Sequence, residues 1–133
     1  MKPFRFDARA GAPVVVAHRG APDRALENSL ASFAAAVAYG ADMIEFDVRL
    51  SADGAPVIVH DARTGRTAKE NVCVADAAAA RLREVRLKNG EPLPFLADVL
   101  DLVRGRVPVN VESKAPGAVA AVSKNVWLAS IRN

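Results

Sequence analysis

The sequence predicts an α/β fold built on a parallel β-sheet. Three observations predict this class: short apolar runs rich in β-branched residues, a helical apolar pattern between the first two runs, and an alternation of strand and helix patterns along the chain. The 133 residues are 51% hydrophobic and 25% charged, which is typical of a globular domain and excludes disordered and collagen-like chains. In such sheets ligands bind beyond the carboxyl ends of the strands, so functional residues are expected there.

Four runs are predicted to be strands with both faces buried, because each is short, apolar and stops at a polar cluster. Only Val48–Ala55 separates the second run from the third, which is fewer residues than the ~12 that a parallel crossover needs. A crossover helix is therefore missing at this point, and Asp53-Gly54 is predicted to turn an extended return. The four runs are Val14–Ala17, Met43–Val48, Pro56–Val59 and Val107–Val111.

Three segments are predicted to be helices from their apolar spacing and their end signals. The first has a cap at Asn28 or Ser29 and stops at Gly40, and the third is closed by Gly105. The polar stretch Arg63–Glu91 is long for a connection, so it is predicted to be an excursion over the mouth of the fold. The three helices are Ser29–Tyr39, Ala75–Val85 and Pro94–Arg104, and the tail segment Val119–Ile131 can form a further, amphipathic helix.

Length, charge and cysteine content exclude several classes of function. No apolar run approaches the ~20 residues that cross a bilayer, so no membrane insertion is expected. The segment Met1–Asp7 carries charges where a secretory signal needs an apolar core, which makes the cytoplasm the expected location. The net charge of +3 comes from scattered Lys and Arg residues, so no nucleic-acid partner is expected. Cys73 is the only cysteine and can form no internal disulfide.

Ionisable side chains stand at the carboxyl end of each predicted strand. Alternate residues of a strand share a face, so Glu45 and Asp47 lie on one face of the second strand, while its other face is wholly apolar. If the faces that carry these side chains point to one interior, the sets from all four strands converge. The converging residues are His18, Glu45, Asp47, His60, Glu112 and Lys114.

Three of the converging residues, Glu45, Asp47 and Glu112, are carboxylates that would repel one another unless a cation lay between them. Hard oxygen ligands of this kind suit Mg²⁺ or Ca²⁺, and the lack of a third histidine or a thiolate among them argues against zinc. The sequence therefore predicts a site for one divalent cation.

The two histidines are then free for proton transfer. One neutral and one charged imidazole, at His18 and His60, would supply the base and the acid that cleavage of a phosphoester needs. Arg19 and Lys114 would neutralise the phosphate, and an arginine can bind two of its oxygens at once. The sequence leaves open which histidine is the base.

Each of these residues also has a purely structural interpretation. Glu112 can simply pair with Lys114, Asp61 can be a turn residue, and Glu27 and Asn28 can form a helix cap. The convergence of all four sets favours the functional interpretation over this series of separate ones.

The motifs of the chain, taken in order, resemble the signature of glycerophosphodiester phosphodiesterases. The resemblance runs from about residue 14 to residue 116, and a series of this order and spacing is highly specific. The motifs are Ala17-His18-Arg19-Gly20, Glu27-Asn28-Ser29, Gly40-Ala41-Asp42-Met43-Ile44-Glu45-Phe46-Asp47-Val48, Asp53-Gly54, Pro56-Val57-Ile58-Val59-His60-Asp61 and Asn110-Val111-Glu112-Ser113-Lys114.

The resemblance implies a TIM-type (β/α)8 barrel related to phosphatidylinositol-specific phospholipase C. A complete barrel takes roughly 250 residues, so residues 1–133 are expected to be one partial domain, truncated to about the first four strands. Within it, residues 63–91 would correspond to the family's insertion, and residues 117–133 form an atypical tail.

The resemblance also implies hydrolysis of a glycerophosphodiester to sn-glycerol 3-phosphate and an alcohol. The attacking group could be water, or the neighbouring glycerol hydroxyl, which would give a cyclic phosphate first. By this resemblance, Glu45, Asp47 and Glu112 would bind a divalent metal ion, Mg²⁺ or Ca²⁺, and His18 and His60 would be the acid–base pair. Arg19 would bind the phosphate with Lys114. Glu27, Asn28 and Asp61 would have secondary roles around these residues.

Two departures from the family pattern leave alternatives open. The segment Pro94-Phe95-Leu96 lacks the family's threonine, which predicts a local packing change, and half of the barrel is absent, which predicts weak or no activity for the isolated monomer. The chain could instead be an inactive fragment or a non-catalytic module that binds a cation or phosphate. A homodimer that closes two halves into one barrel stays open as well.

Overall fold

The computed structural model describes residues 11–130 of the chain, which form four strands, four α-helices and two short 3-10 turns. No helix in this part of the chain is long and apolar enough to cross a membrane. The strands are β1 (Val16–His18), β2 (Met43–Leu50), β3 (Pro56–Ile58) and β4 (Val109–Ser113). The helices are α1 (Leu30–Ala38), α2 (Ala79–Leu82), α3 (Leu96–Val103) and α4 (Ala118–Ser130), and the 3-10 turns are Thr64–Arg66 and Val74–Asp76.

Strand β2 is the central strand of the sheet, with β1 and β4 paired to it in parallel on its two sides. Helix α1 connects β1 to β2, so the predicted βαβ unit is confirmed. His18 lies opposite Glu45 in this register, and Asp47 lies opposite Glu112. The register therefore brings the carboxyl ends of three parallel strands side by side.

Strand β3 turns back and pairs antiparallel with the end of β2, which corrects the assignment of the third run to the parallel set. A hairpin replaces the missing crossover: the Gly54 N–H donates to the Ser51 carbonyl at 3.0 Å, and Gly54 has a φ of +82° that glycine adopts without strain. The extended return predicted at Asp53-Gly54 is thus confirmed. It carries the chain back along β2, where the Val59 N–H donates to the Asp47 carbonyl at 3.1 Å.

The main core lies between the sheet and helices α1, α3 and α4. The apolar face of β2 is fully buried there, as predicted for Ile44, Phe46 and Val48. Phe33 of α1 meets Phe46 edge to face, with ring centroids 5.7 Å apart, a contact that adds about 1 kcal/mol to the burial of the two rings. This packing fixes β2, and with it the opposite face that carries Glu45.

The first predicted strand is not buried on both faces. Val14, Val15 and Val16 are 40%, 55% and 45% exposed, and only the last of them belongs to β1. Among the described residues no strand pairs with the outer side of β1, so nothing covers this edge of the sheet. The prediction of two buried faces was wrong here, because the side chains of an unpaired edge strand stay partly open to solvent.

Helices α1 and α3 confirm two helix predictions, each with small differences at the ends. The Ser29 hydroxyl, one of the two predicted caps, accepts the Ser32 N–H at 3.1 Å, a cap that contributes about 1 kcal/mol. Helix α3 begins at Leu96, two residues after the proline, because the Asp98 carboxylate accepts the Phe95 N–H at 2.8 Å and caps the helix there.

The helix predicted over Ala75–Val85 is wrong, because only Ala79–Leu82 is α-helical and Val74–Asp76 is a 3-10 turn. Between this 3-10 turn and helix α2 the backbone of Ala77 is extended, and the Ala77 carbonyl accepts the Ala52 N–H at 2.9 Å. Helix propensity gives way here to burial, since residues from the excursion and its flanks form a second core. That core contains Val57, Val59, Ala68, Val74, Leu82, Val85, Leu87, Leu93 and Phe95.

Helix α4 lies where the tail helix was predicted. Ala118 at its start is fully buried in the main core, whereas Val119 on the predicted apolar face is 68% exposed. Ile131, the predicted end of this helix, lies outside the described residues. The tail is therefore helical, and of its predicted apolar face Val122 packs against the main core whereas Val119 and Val126 are exposed.

Candidate active site

The register of β2 and β4 brings together three carboxylates from two separate segments. Glu45, Asp47 and Glu112 each offer one oxygen, and these three oxygens lie within 4.8 Å of one another. Asp47 is fully buried, Glu45 is nearly buried and Glu112 is exposed. The acidic residues that were predicted to converge are therefore adjacent, at the carboxyl ends of two parallel strands.

One buried oxygen of this cluster has no hydrogen-bond partner. Asp47 Oδ2 lies 3.1 Å from Arg19 Nε and accepts a hydrogen bond from Asn28 Nδ2 at 2.9 Å. Asp47 Oδ1 is without a hydrogen-bond partner among the described residues and lies 3.6 Å from Lys114 Nζ. A buried, unpartnered carboxylate oxygen is costly, and two further hard oxygens lie beside it. The residues present therefore suit a divalent metal ion.

The environment holds the members of the cluster at different pKa values. Burial raises the pKa of Glu45, and the nearby charges of Asp47 and Glu112 raise it further, while the Arg19 N–H opposes them. The hydrogen bond from Lys114 Nζ, at 2.5 Å, lowers the pKa of Glu112 and raises that of Lys114. A divalent cation here would relieve the repulsion that raises the pKa of Glu45.

A sharp turn after β1 directs His18 and Arg19 toward this cluster. Arg19 has a φ of +58° and Gly20 a φ of +92°, and a Cβ on Gly20 would lie 2.1 Å from Ser32 Oγ. The Arg19 N–H donates to the Glu45 carbonyl at 3.0 Å and to Glu45 Oε2 at 3.1 Å. His18 Nε2 is 3.9 Å from the same carboxylate oxygen. Glycine is required at this turn because no side chain fits.

Glu27 and Asn28 lie in the site and not at the helix cap, which Ser29 forms. The Asn28 N–H donates to the Arg19 carbonyl at 3.0 Å, and its side chain holds Asp47. Glu27 Oε2 accepts a hydrogen bond from Arg19 Nη1 at 2.7 Å. The loop before α1 therefore orients both the arginine and the buried carboxylate.

His60 reaches the site from β3, opposite in chain direction to the other strands. Its Nδ1 lies 2.6 Å from Asp61 Oδ1, and a proton on Nδ1 leaves Nε2 free for substrate. Hydrogen bonds from Arg66 and from His60 lower the pKa of Asp61 to about 2, so this carboxylate is charged at neutral pH. The return predicted at Asp53-Gly54 brings His60 to the level of Asp47, because the neighbouring Val59 N–H donates to the Asp47 carbonyl.

Two arginines at the site were missed in the sequence. Arg49 Nε donates to the His60 carbonyl at 2.7 Å and its Nη1 to the Lys114 carbonyl at 3.1 Å, so it ties β3 to β4. Its parity on β2, the same as that of Glu45 and Asp47, would have placed it on the site face. Arg66 binds Asp61 in the same loop and Glu27 from a distant segment, and no local pattern indicates the second contact.

Comparisons with known proteins agree with this geometry. Residues 18–128 match the model of the glycerophosphoryl diester phosphodiesterase family. The chain belongs to this family. A glycerophosphodiester phosphodiesterase from Caldanaerobacter subterraneus is 34% identical over 110 residues, which cover 77% of this chain and 45% of that protein.

Solved structures of the family share the fold of the chain. A glycerophosphodiester phosphodiesterase from Agrobacterium tumefaciens superposes with a TM-score of 0.79 at 32% identity, over 87% of this chain and 54% of that one. A phosphodiesterase from Oleispira antarctica, solved with the product sn-glycerol-3-phosphate, gives 0.79 at 29% identity, over 86% of this chain and 52% of that one. The chain thus has about half of the TIM-barrel fold of these phosphodiesterases and spans about half their length, and its described sheet is not closed.

Proposed function

We propose that this chain carries the catalytic strand ends of a metal-dependent glycerophosphodiester phosphodiesterase. The reaction is the hydrolysis of a glycerophosphodiester to sn-glycerol 3-phosphate and an alcohol, which family membership supports. The observation that carries the proposal is the gathering of Glu45, Asp47 and Glu112 within 4.8 Å, beside a histidine and an arginine from β1. Because the chain spans about half the length of its relatives, we propose that it supplies the metal-binding and proton-transfer residues of the site.

Arg19 and Lys114 are proposed to hold the phosphate. The Arg19 guanidinium has Nε beside Asp47 and Nη1 on Glu27, so its plane is fixed before substrate arrives. Lys114 Nζ, one-fifth exposed, lies between Glu112 and Asp47 and can turn from them toward an added anion. Two positively charged side chains on one phosphodiester stabilise the negative charge that develops on its oxygens in the transition state.

His18 and His60 are proposed to move the protons. One imidazole takes a proton from the attacking water or glycerol hydroxyl as the new P–O bond forms, and the other gives a proton to the departing alcohol oxygen as the old P–O bond breaks. Asp61 supports this assignment, because its hydrogen bond orients the ring of His60. The route through a cyclic phosphate differs only in that water attacks in a second step.

Glu45, Asp47 and Glu112 are proposed to hold one divalent cation, Mg²⁺ or Ca²⁺. The set of hard carboxylate oxygens and the unpartnered Asp47 Oδ1 support this choice. When bound, such a cation neutralises the carboxylates, polarises a phosphoryl oxygen and lowers the pKa of a nearby hydroxyl. A cytoplasmic location stays a prediction of the sequence.

The proposal is tested by two measurements on the 133-residue chain. Calorimetry should detect one Mg²⁺ or Ca²⁺ per chain in the wild type and none in Asp47→Asn, because the variant removes the buried charge. Release of sn-glycerol 3-phosphate from glycerophosphocholine should require the metal and be abolished by EDTA. Asp101→Asn, on the exposed side of α3, is the matched control. Metal binding without any turnover would support the metal site and contradict hydrolysis by this chain.

The alternative is a non-catalytic module that binds a cation or phosphate. The outer side of β1 favours it, because its valines are exposed, no strand among the described residues pairs with it, and in a closed barrel this edge would be paired. Light scattering separates the versions of this alternative: a compact dimer supports a barrel closed by two copies, and a monomer that binds ANS supports an incomplete fold.

A further inference from the structure

Arg66, in the excursion after β3, bridges two carboxylates that serve different parts of the candidate site. Its Nε lies 2.7 Å from Asp61 Oδ2 and its Nη2 lies 3.3 Å from Asp61 Oδ1. The same guanidinium binds Glu27, through Nη1 to Oε1 and through Nη2 to Oε2 at 3.3 Å. Only a planar fork with five donors can bind two carboxylates in this way.

Each of these carboxylates holds a second partner on its other side. Glu27 Oε2 accepts the hydrogen bond of Arg19 Nη1 at 2.7 Å, and Asp61 Oδ1 lies 2.6 Å from His60 Nδ1. A continuous chain of charged contacts thus runs from Arg19 to His60. Its two ends are the group proposed to bind phosphate and one of the groups proposed to move a proton.

The backbone that carries Arg66 is itself held in place. Thr64 is fully buried, and its hydroxyl accepts the Val72 N–H at 3.0 Å. Its carbonyl accepts the N–H groups of Thr67 and Ala68 at 3.0 and 2.8 Å. An isolated surface ion pair contributes little, but a bidentate pair on an anchored backbone keeps its geometry.

We propose that Arg66 is a positioning residue that fixes Arg19 and His60 relative to each other. The role of these two groups in phosphate binding and proton transfer rests on the proposed function, whereas their coupling through Glu27 and Asp61 rests on the contacts alone. Neither partner of Arg66 is one of the three clustered carboxylates, so its removal takes no hydrogen bond directly from that cluster.

The test compares Arg66→Ala with Arg81→Ala in the full 133-residue chain. Arg81 is a matched control because it lies in the same excursion, is 42% exposed against 46% for Arg66, and pairs with Glu70 and Glu84 away from the site. The chain contains two histidines, so ¹⁵N spectra of the imidazoles show two sets of signals, which His18→Ala assigns.

In the wild type we expect the His60 signals of a ring whose Nδ1 carries the proton, since Asp61 accepts it. In Arg66→Ala, Asp61 is free to rotate, so the Nδ1 and Nε2 signals should move toward each other as the tautomers mix. Arg81→Ala should leave them unchanged. The kcat for glycerophosphocholine should fall roughly 10- to 100-fold in Arg66→Ala and less than about 2-fold in the control.

His60 signals that stay at their wild-type positions in folded Arg66→Ala would overturn the proposal, whatever the turnover. If that variant does not fold, Arg66→Lys decides, because its single ammonium cannot fork to both carboxylates: shifted His60 signals support the proposal and unchanged ones overturn it. If the His60 signals shift in Arg66→Ala but the wild-type chain shows no turnover, the proposed function is contradicted and the positioning role of Arg66 is supported.

Discussion

The two histidines of the candidate site lie in contrasting surroundings. His18 ends β1, an edge strand of the sheet that the structure describes, with 68% of its side chain exposed and a carboxylate oxygen of Glu45 3.9 Å from its Nε2. His60 is 34% exposed and is held by a bond of 2.6 Å to Asp61, which Arg66 binds from the other side. The side chain of His60 is therefore held by a short hydrogen bond, whereas that of His18 is largely exposed.

The contrast follows from how each histidine reaches the site. The place of His18 is set by backbone: a register with β2 and a turn that only Gly20 can make. The place of His60 is set by side chains, since Arg49 binds its carbonyl and Asp61 binds its ring. Backbone positioning depends on the packing of β1, whereas side-chain positioning depends on charge.

The largest expected effect is on catalysis. His18→Ala and His60→Ala should each lower kcat/KM for glycerophosphocholine by about 10²- to 10⁴-fold, because each removes a group that we propose to transfer a proton. Imidazole added to the solution should restore part of the activity of His18→Ala, whose site is open to solvent, and little of that of His60→Ala. Equal rescue of both variants, measured as kcat/KM against imidazole concentration, would mean that the contrast has no catalytic consequence.

The next effect concerns the backbone on which His18 depends. Gly20→Ala should lower the free energy of unfolding by about 3 kcal/mol, because the new Cβ would clash with Ser32 and alanine is strained at this φ. Gly40→Ala is the matched control: Gly40 has a φ of +79° and no atom within 4 Å, so only about 1 kcal/mol should be lost. Urea denaturation measures both, and equal losses would show that the turn tolerates a side chain.

The smallest effect is on acid stability, and it concerns the His60 side. Hydrogen bonds from Arg66 lower the pKa of both Asp61 and Glu27 in the folded chain, that of Asp61 from 3.8 to about 2. Carboxyls of this kind stabilise the fold fully above their unfolded pKa values, and this contribution is lost as the pH falls through the folded ones. Urea denaturation between about pH 5 and about pH 2 should therefore show that Asp61→Asn destabilises the chain less as the pH falls.

Asp101→Asn is the control for the substitution itself, because Asp101 is exposed and, among the described residues, pairs only with Arg104 at the end of α3. A constant difference between wild type and Asp61→Asn would contradict a stabilising role for the ion pair with Arg66.

Much of the sheet could be predicted from the sequence. The unbroken apolar parity of Ile44, Phe46 and Val48 indicates a strand with one face in the core, and the same parity puts Glu45 and Asp47 on the other face. Helix α1 was predictable because its apolar spacing, serine cap and glycine stop all agree. These are local signals, carried by residues within one or two turns of each other.

The rest depended on contacts between distant segments. The helix predicted over Ala75–Val85 gave way to the second core, to which its side chains contribute. Arg66 meets Glu27 across 39 positions of sequence. Neither of these has a periodic or compositional signal, because each arises only when separate elements pack together.

The sequence by itself determined most of the chemical groups of the site, Arg49 and Arg66 excepted, and that strands β1, β2 and β4 would carry most of them, because side-chain parity and strand propensity are properties of neighbouring residues. Only the tertiary structure decided that Asn28 faces Asp47 and that Arg66 joins Arg19 to His60 through two carboxylates. Such contacts form when packing of the two cores brings distant loops to the same strand ends, and no short window of the sequence holds Asn28 with Asp47 or Glu27 with Arg66.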